Sequence, residues 1–294
     1  MDDPHIKAQV RHFYDEIGWQ KVSEGLYQNA RYEDLRPVAH EYIHRCHLRV
    51  NRHLKPNGKY LLDAGSGPIQ YPEYLTYSQG YQYRVCLDIS MVAMQEARHR
   101  IGKKGLFVLA DVANLPFCAD VFDGIVSLHT LHHLASGDQK QAYFEFYRTL
   151  KPESSMVVVN GWTNSPLMNR FQPLARMMKV LSGWYGRHRI RLEGPPEERS
   201  ERVQPAKNTP EGSNARPTGT FVKKPDAATL QQELAGLNLD IQVWRSMSVV
   251  FMQAVFHAKL GGRIGLKLVY WIEERFPHYF GEKGQYPLVI IRKG

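Results

Sequence analysis

Three aspartates each close a short apolar run: Asp63 in LLDAG, Asp88 in VCLDIS and Asp111 in FVLADV. They stand 25 and 23 residues apart, and Gly65-Ser66-Gly67 follows the first of them. A carboxylate at such a point can accept hydrogen bonds from hydroxyls or attract an ammonium group, whereas a pyrophosphate would be repelled by it. Two glycines let the backbone leave a strand sharply and bring its amides close to a ligand. A further group, 129-HTLHH-133, follows the fourth apolar run. Imidazole titrates near neutral pH, so His132 or His133 could take a proton from an acceptor hydroxyl; capping and packing of the next helix is the plainer use. His129 and His133 are four apart, as on a metalloprotease helix, but Thr130 occupies the place of the glutamate such a site needs, and no metal site is predicted.

The spacing of the aspartates requires elements that repeat at the same interval. Runs at 60–65, 83–88, 105–111, 124–129 and 156–160 read as strands, with helices at about 72–79, 90–102 and 138–150. This alternation predicts βαβ units and a parallel sheet, which places the three carboxylates on one carboxyl-terminal edge, where open α/β sheets bind ligands. Residues 1–55 read as an N-terminal helical cap, 56–161 as a cofactor-binding core, 162–225 as an insertion that is partly disordered, and 226–294 as the rest of the core sheet with a helical lid. In the last part DAATLQQELAGLN reads as a helix capped by Asp226, and LDIQVWRSMSVVF and YPLVIIRK as strands.

Asp63 beside the glycine loop suits an ammonium group, Asp88 a ribose diol, and Asp111 with Val112 an adenine. An amino-acid end, a ribose and an adenine together describe S-adenosylmethionine. A dinucleotide fold ranks last, because Gln70 stands where G-x-G-x-x-G wants its third glycine. LLDAGSG, VCLDIS, ADVANLPF, FDGIVSLHTLHHL and RTLKPESSMVVVN, in this order, resemble the successive motifs of class I S-adenosylmethionine-dependent methyltransferases, closest to the quinone-biosynthesis and small-molecule subgroup. The resemblance covers roughly residues 55 to 160. It implies a Rossmann-like, doubly wound α/β fold with a mostly parallel sheet of seven strands, the last antiparallel, and the late strands near 241–252 and 286–292 as its closing hairpin. It also implies cofactor contacts at Asp63, Ala64, Gly65, Ser66 and Gly67 for the methionine end and at Asp88, Ile89 and Ser90 for the ribose, with Ile89 packed on the adenine. Asp111 and Val112 would meet the adenine, Ser127, Leu128 and His129 would form the floor, and Tyr14 would close over the cofactor. The sequence departs from the family pattern at Ile69, which stands in place of a third glycine after Pro68.

The net charge of +9 raises nucleic acid or anionic lipid as partners, but nine Lys/Arg against five Asp/Glu concentrate between Arg187 and Pro225, where a solvated basic loop is expected. The absence of an Asn/Asp-Pro-Pro-aromatic sequence after the fourth strand argues against a base-methylating enzyme. A small-molecule acceptor methylated on oxygen or carbon is therefore expected, ahead of an RNA acceptor or an idle adenosyl-binding module. The stretch 257–285 reads as a lid over the acceptor, with a peripheral membrane contact as its alternative. Three scattered cysteines and a charged N-terminus point to the cytoplasm. Oligomeric state and acceptor identity are not encoded in any motif.

Overall fold

The computed structural model describes residues 4–23, 26–29, 33–178, 180 and 220–294. The chain opens with α1 (Pro4–Phe13), a π-helical turn (Tyr14–Gly18), and a small antiparallel pair, β1 (Lys21–Ser23) and β2 (Leu26–Tyr27). The N-terminal part is thus not helical throughout: Tyr27 is buried, its hydroxyl donates to Glu96 at 3.1 Å, and Lys21 pairs with Glu96 at 2.8 Å, so a strand pair docks where helix was expected. Helix α2 (His40–Leu48) follows.

The core strands are β3 (Gly58–Ala64), β4 (Tyr81–Asp88), β5 (Gly105–Leu109), β6 (Gly124–Leu128) and β7 (Ser155–Val159). The late pair is β8 (Asn238–Arg245) and β9 (Tyr286–Arg292). They form one seven-stranded sheet in the order β5-β4-β3-β6-β7-β9-β8, parallel except for β9, which runs antiparallel to both neighbours. Alternate residues feed two cores on opposite faces: Leu61, Cys86, Val126 and Val157 on one, Leu62, Val85, Ile125 and Met156 on the other. Helix α3 (Met91–Ile101) packs Ala93, Met94 and Ala97 on the first face, and α4 (Ser136–Thr149) packs Ala142, Tyr143 and Phe146 on the second. Strand order reverses between β3 and β6, which opens a crevice at their carboxyl ends. This is the Rossmann-like arrangement of class I methyltransferases.

Three expected elements differ. The segment 72–79 is a 3₁₀ helix, Pro72–Ser78, and not an α-helix. The strand read through 252 stops at Arg245, because the side chain of Ser248 accepts from the Phe251 amide at 3.2 Å and starts α6 (Val249–Val255), while α5 (Ala227–Glu233) begins as read, with Asp226 accepting from Thr229 at 2.8 Å. The stretch 257–285 forms α7 (Gly262–Arg275) and α8 (Pro277–Lys283), yet none of its residues lines the crevice. Glu273 of α7 is fully buried and accepts from Arg49 at 3.0 Å and from Tyr42 at 2.6 Å, which fixes the helix against α2 and not over the site. Its outer side leaves Ile264, Leu268 and Trp271 exposed. Most of the insertion, residues 181–219, lies outside the described residues, and with it most of the basic segment. Among the described residues no helix is long and apolar enough to cross a membrane.

Candidate active site

A cavity of about 380 Å³ occupies the crevice, within the roughly 300–1,000 Å³ of small-molecule sites. Its floor is the turn after β3. Gly65 and Gly67 have φ of 73° and 55°, and the Gly65 and Ser66 amides donate to the Leu87 carbonyl at 2.7 and 3.1 Å, tying the turn to β4. A Cβ at Gly65 would stand 2.2 Å from Thr130, and one at Gly67 would stand 3.1 Å from the Trp19 ring, so only bare backbone fits between these side chains. Ile69, where the family pattern has glycine, also sits at φ 57° and is fully buried. A β-branched residue is costly in that region, so its packing must hold it there.

Asp88 ends β4 and lines the cavity. Its two oxygens accept from the Gly67 and Ser90 amides, each at 2.9 Å, so one carboxylate ties together the loops after β3 and β4. Burial pushes Asp88 up to about 6, with the amide hydrogen bonds opposing it. The folded protein therefore keeps a proton there that the unfolded chain releases. Acidification from about pH 6 towards 4 favours the folded state through this group, while a ribose diol needs the ionised form. S-adenosylmethionine affinity is expected to fall as pH drops through about 6, by up to about tenfold per unit. Titration calorimetry at pH 5, 6 and 7.5 checks this; flat affinity across that range would count against a diol on Asp88.

Asp111 and Val112, after β5, also line the cavity. Asp111 accepts from the Ala113 amide at 2.9 Å and pairs with Lys7 of α1 at 2.6 Å. Lys7 also reaches Asp138 at 2.9 Å, so α1 is drawn over this end of the cavity. The turn after α1 brings Tyr14 to the wall, stacked on Trp19 at 4.9 Å between ring centroids. Tyr14 Oη lies 2.7 Å from His133 Nε2. His133 Nδ1 faces the Phe221 carbonyl at 2.8 Å, so Nδ1 carries the proton and Nε2 accepts from the tyrosine. Burial takes His133 down to about 4 and His129 to about 3, and holds His132 well below its ordinary value. All three are neutral at pH 7. His132 Nδ1 lies 3.3 Å from Asn160 Oδ1, an acceptor, which leaves Nε2 as the basic nitrogen of that ring.

Of the residues predicted for the site, Tyr14, Gly65, Ser66, Gly67, Asp88, Ile89, Asp111, Val112, Leu128, His129, His132 and His133 share the cavity wall. Four do not. Asp63 is held by Arg84, whose Nε and Nη2 reach Oδ2 at 3.1 and 2.5 Å, Ala64 is buried in the sheet, and Ser127 donates to the Ala64 carbonyl at 2.8 Å. Ser90 caps α3 and donates to Asp15 at 2.5 Å. These four act on the cavity through the elements they fasten. The far end of the cavity is built from residues that carry no motif: Tyr71, Tyr74, Tyr286, and a buried Glu33–Arg245 ion pair with His47 3.6 Å from the carboxylate. Arg245 also lies 4.6 Å over the Tyr286 ring. The signals were weak but present: a run of tyrosines directly after the glycine turn in YPEYLTY, and an arginine ending a strand beside a tryptophan in VWRS.

The wall fits an adenosyl cofactor on three counts: a buried carboxylate between two loops, a glycine turn with no room for a side chain, and a buried Trp19 indole N–H without a partner among the described residues. Residues 62–158 match the family described as Methyltransferase domain. A tRNA (carboxymethyluridine(34)-5-O)-methyltransferase of Arabidopsis thaliana is 31% identical over 172 residues, 51% of this chain and 40% of that protein, so the chain spans about two fifths of the length of this curated relative. The geranyl diphosphate C-methyltransferase of Streptomyces coelicolor A3(2), solved with Mg2+, geranyl diphosphate and S-adenosyl-L-homocysteine, superposes with a TM-score of 0.55 at 13% identity, over 98% of each chain. The [4+2]-cyclase SpnF superposes at 0.51 and 17% identity, over 98% of this chain and 96% of that one. Residues 62–158 thus match a methyltransferase domain, set on a sheet with the strand order of the class I fold.

Proposed function

We propose that the protein transfers the methyl group of S-adenosylmethionine to oxygen or carbon of a small-molecule acceptor, quinone-like, lipid-like or sugar-containing. The observation that carries this reading is that one continuous cavity runs from Asp88 and Asp111, past the glycine turn, to an aromatic end at Tyr71, Tyr74 and Tyr286. Asp88 and Asp111 would hold the ribose and adenine, and the Gly65–Gly67 turn the methionine end. When bound, the cofactor supplies an electrophilic methyl group on a sulfonium whose thioether departs without needing a proton. What remains for the chain is to position the acceptor in line and exclude water. Tyr14 and Trp19 cover the middle of the cavity for the second task, and His132 Nε2 is the basic nitrogen within it for an acceptor that must lose a proton. A cytoplasmic setting belongs to the same proposal, supported by three free cysteines.

A second reading, an RNA acceptor, is favoured by the tRNA methyltransferase relative. The two separate in one experiment. The purified protein is given methyl-labelled S-adenosylmethionine with either a small-metabolite extract or bulk tRNA. Label in the metabolite fraction supports the proposal, and label in tRNA alone overturns it in favour of the second reading. Binding of NADH in place of S-adenosylhomocysteine would overturn both.

A further inference from the structure

Most charges on the cavity wall are matched. Lys7 has Asp111 and Asp138, Arg245 has Glu33, and Asp88 has two amides. Lys224 lines the same cavity and has no carboxylate partner among the described residues. Its place is fixed by its backbone: the neighbouring Lys223 amide donates to the His132 carbonyl at 2.7 Å, Gln139 Nε2 donates to the Lys223 carbonyl at 2.8 Å, and the Thr163 hydroxyl donates to the Lys224 carbonyl. The side chain passes Gly161, where an added Cβ would stand 3.0 Å from Nζ, so a glycine makes room for the ammonium. Desolvation lowers the Lys224 pKa, and no carboxylate among the described residues opposes that effect.

Two further donors on this wall lack partners among the described residues: Arg245, 2% exposed, has no acceptor there for its Nε, and the buried Thr220 hydroxyl has none either. His129, also on the wall, is held in its neutral form partly by the positive charges of Arg245 and Lys224. A cation withdrawn from water without a counter-ion is expensive, and an unsatisfied buried donor adds to the cost. Both costs are removed if the missing partner arrives with the substrate.

We propose that the methyl acceptor carries an anionic oxygen group, carboxylate or phosphate, and that Lys224 is its counter-ion on the cavity wall. This rests on the methyltransferase reading for the word acceptor, while the anion site itself is testable without it. The protein is titrated, with and without saturating S-adenosylhomocysteine, with acetate, benzoate, inorganic phosphate and phenyl phosphate, and with benzyl alcohol as the neutral match. At least one of the aromatic anions is expected to bind about tenfold or more tighter than benzyl alcohol. Lys224→Met is expected to abolish that preference, Lys224→Arg to keep most of it, and both to bind S-adenosylhomocysteine as the parent does. A preference for benzoate assigns a carboxylate and one for phenyl phosphate a phosphate. Equal affinity for benzoate, phenyl phosphate and benzyl alcohol, no binding of any of the four anions, or a preference that survives in Lys224→Met, overturns the proposal. Loss of S-adenosylhomocysteine binding by the parent protein would instead sink the methyltransferase reading and leave the anion titrations readable on their own.

Discussion

Replacing Asp88 with alanine is expected to weaken S-adenosylmethionine binding by about a hundredfold or more while moving the melting temperature little. The carboxylate already accepts one amide from each flanking loop, and its remaining lone pairs face the cavity. A ribose diol would add two charge-assisted hydrogen bonds, each worth about 1.5–3 kcal/mol, and together these set the expected loss. The stability effects oppose one another. Alanine removes a buried charge whose ionisation is penalised in the fold, and it also strands the Gly67 and Ser90 amides. Calorimetric titration with S-adenosylmethionine and S-adenosylhomocysteine, beside a thermal melt, separates binding from folding. An affinity within threefold of the parent would falsify the assignment of Asp88 to the ribose.

The opposite signature is expected at Arg84. Arg84→Met should cost about 3–5 kcal/mol of stability, because it leaves the Asp63 carboxylate buried at 2% exposure with its partner gone. It also frees the Tyr74 carbonyl, which Arg84 Nη1 reaches at 2.5 Å, and so loosens the aromatic end of the cavity. A midpoint lower by roughly 10 °C would correspond to that loss. The double variant Asp63→Asn with Arg84→Met should recover part of it, since no charge is then left alone. Urea denaturation of the two single variants and the double closes the cycle. If Asp63→Asn left stability unchanged and abolished cofactor binding, Asp63 would be a ligand contact after all and the pair a minor support.

These two aspartates show how far the sequence carries. Both end apolar runs and both precede loops, and the pattern treats them alike. Strand periodicity and the spacing between them are local properties, and so the sheet, its parallel strands and its ligand-binding edge could be read directly. What separates Asp63 from Asp88 is whether a cation from the adjacent strand reaches it, and Arg84 is one position among many polar residues in YQYRVCLD. The aromatic end was illegible for a related reason. Glu33 and Arg245 are 212 positions apart and become a pair only when β8 takes the edge of the sheet. Lys224 follows a stretch without periodicity, and its role depends on a wall whose other members are spread along the chain from Lys7 of α1 to Tyr286 of β9. The helix at Val249–Val255 was misread because two β-branched residues suggest a strand, whereas the serine before them supplies the cap that decides the matter.

Helix α1 and the turn after it are fastened to the core by Lys7 on Asp111 and Asp138, by Asp15 on Ser90, and by Tyr14 on His133. These ties hold α1 and its turn, from Lys7 to Tyr14, against the cavity wall, where the proposed cofactor would have to pass. On the proposed placement of the cofactor the consequence is one of timing: release of this clasp is expected to set the pace of repeated turnover, so that the pace quickens as salt weakens the lysine's hold.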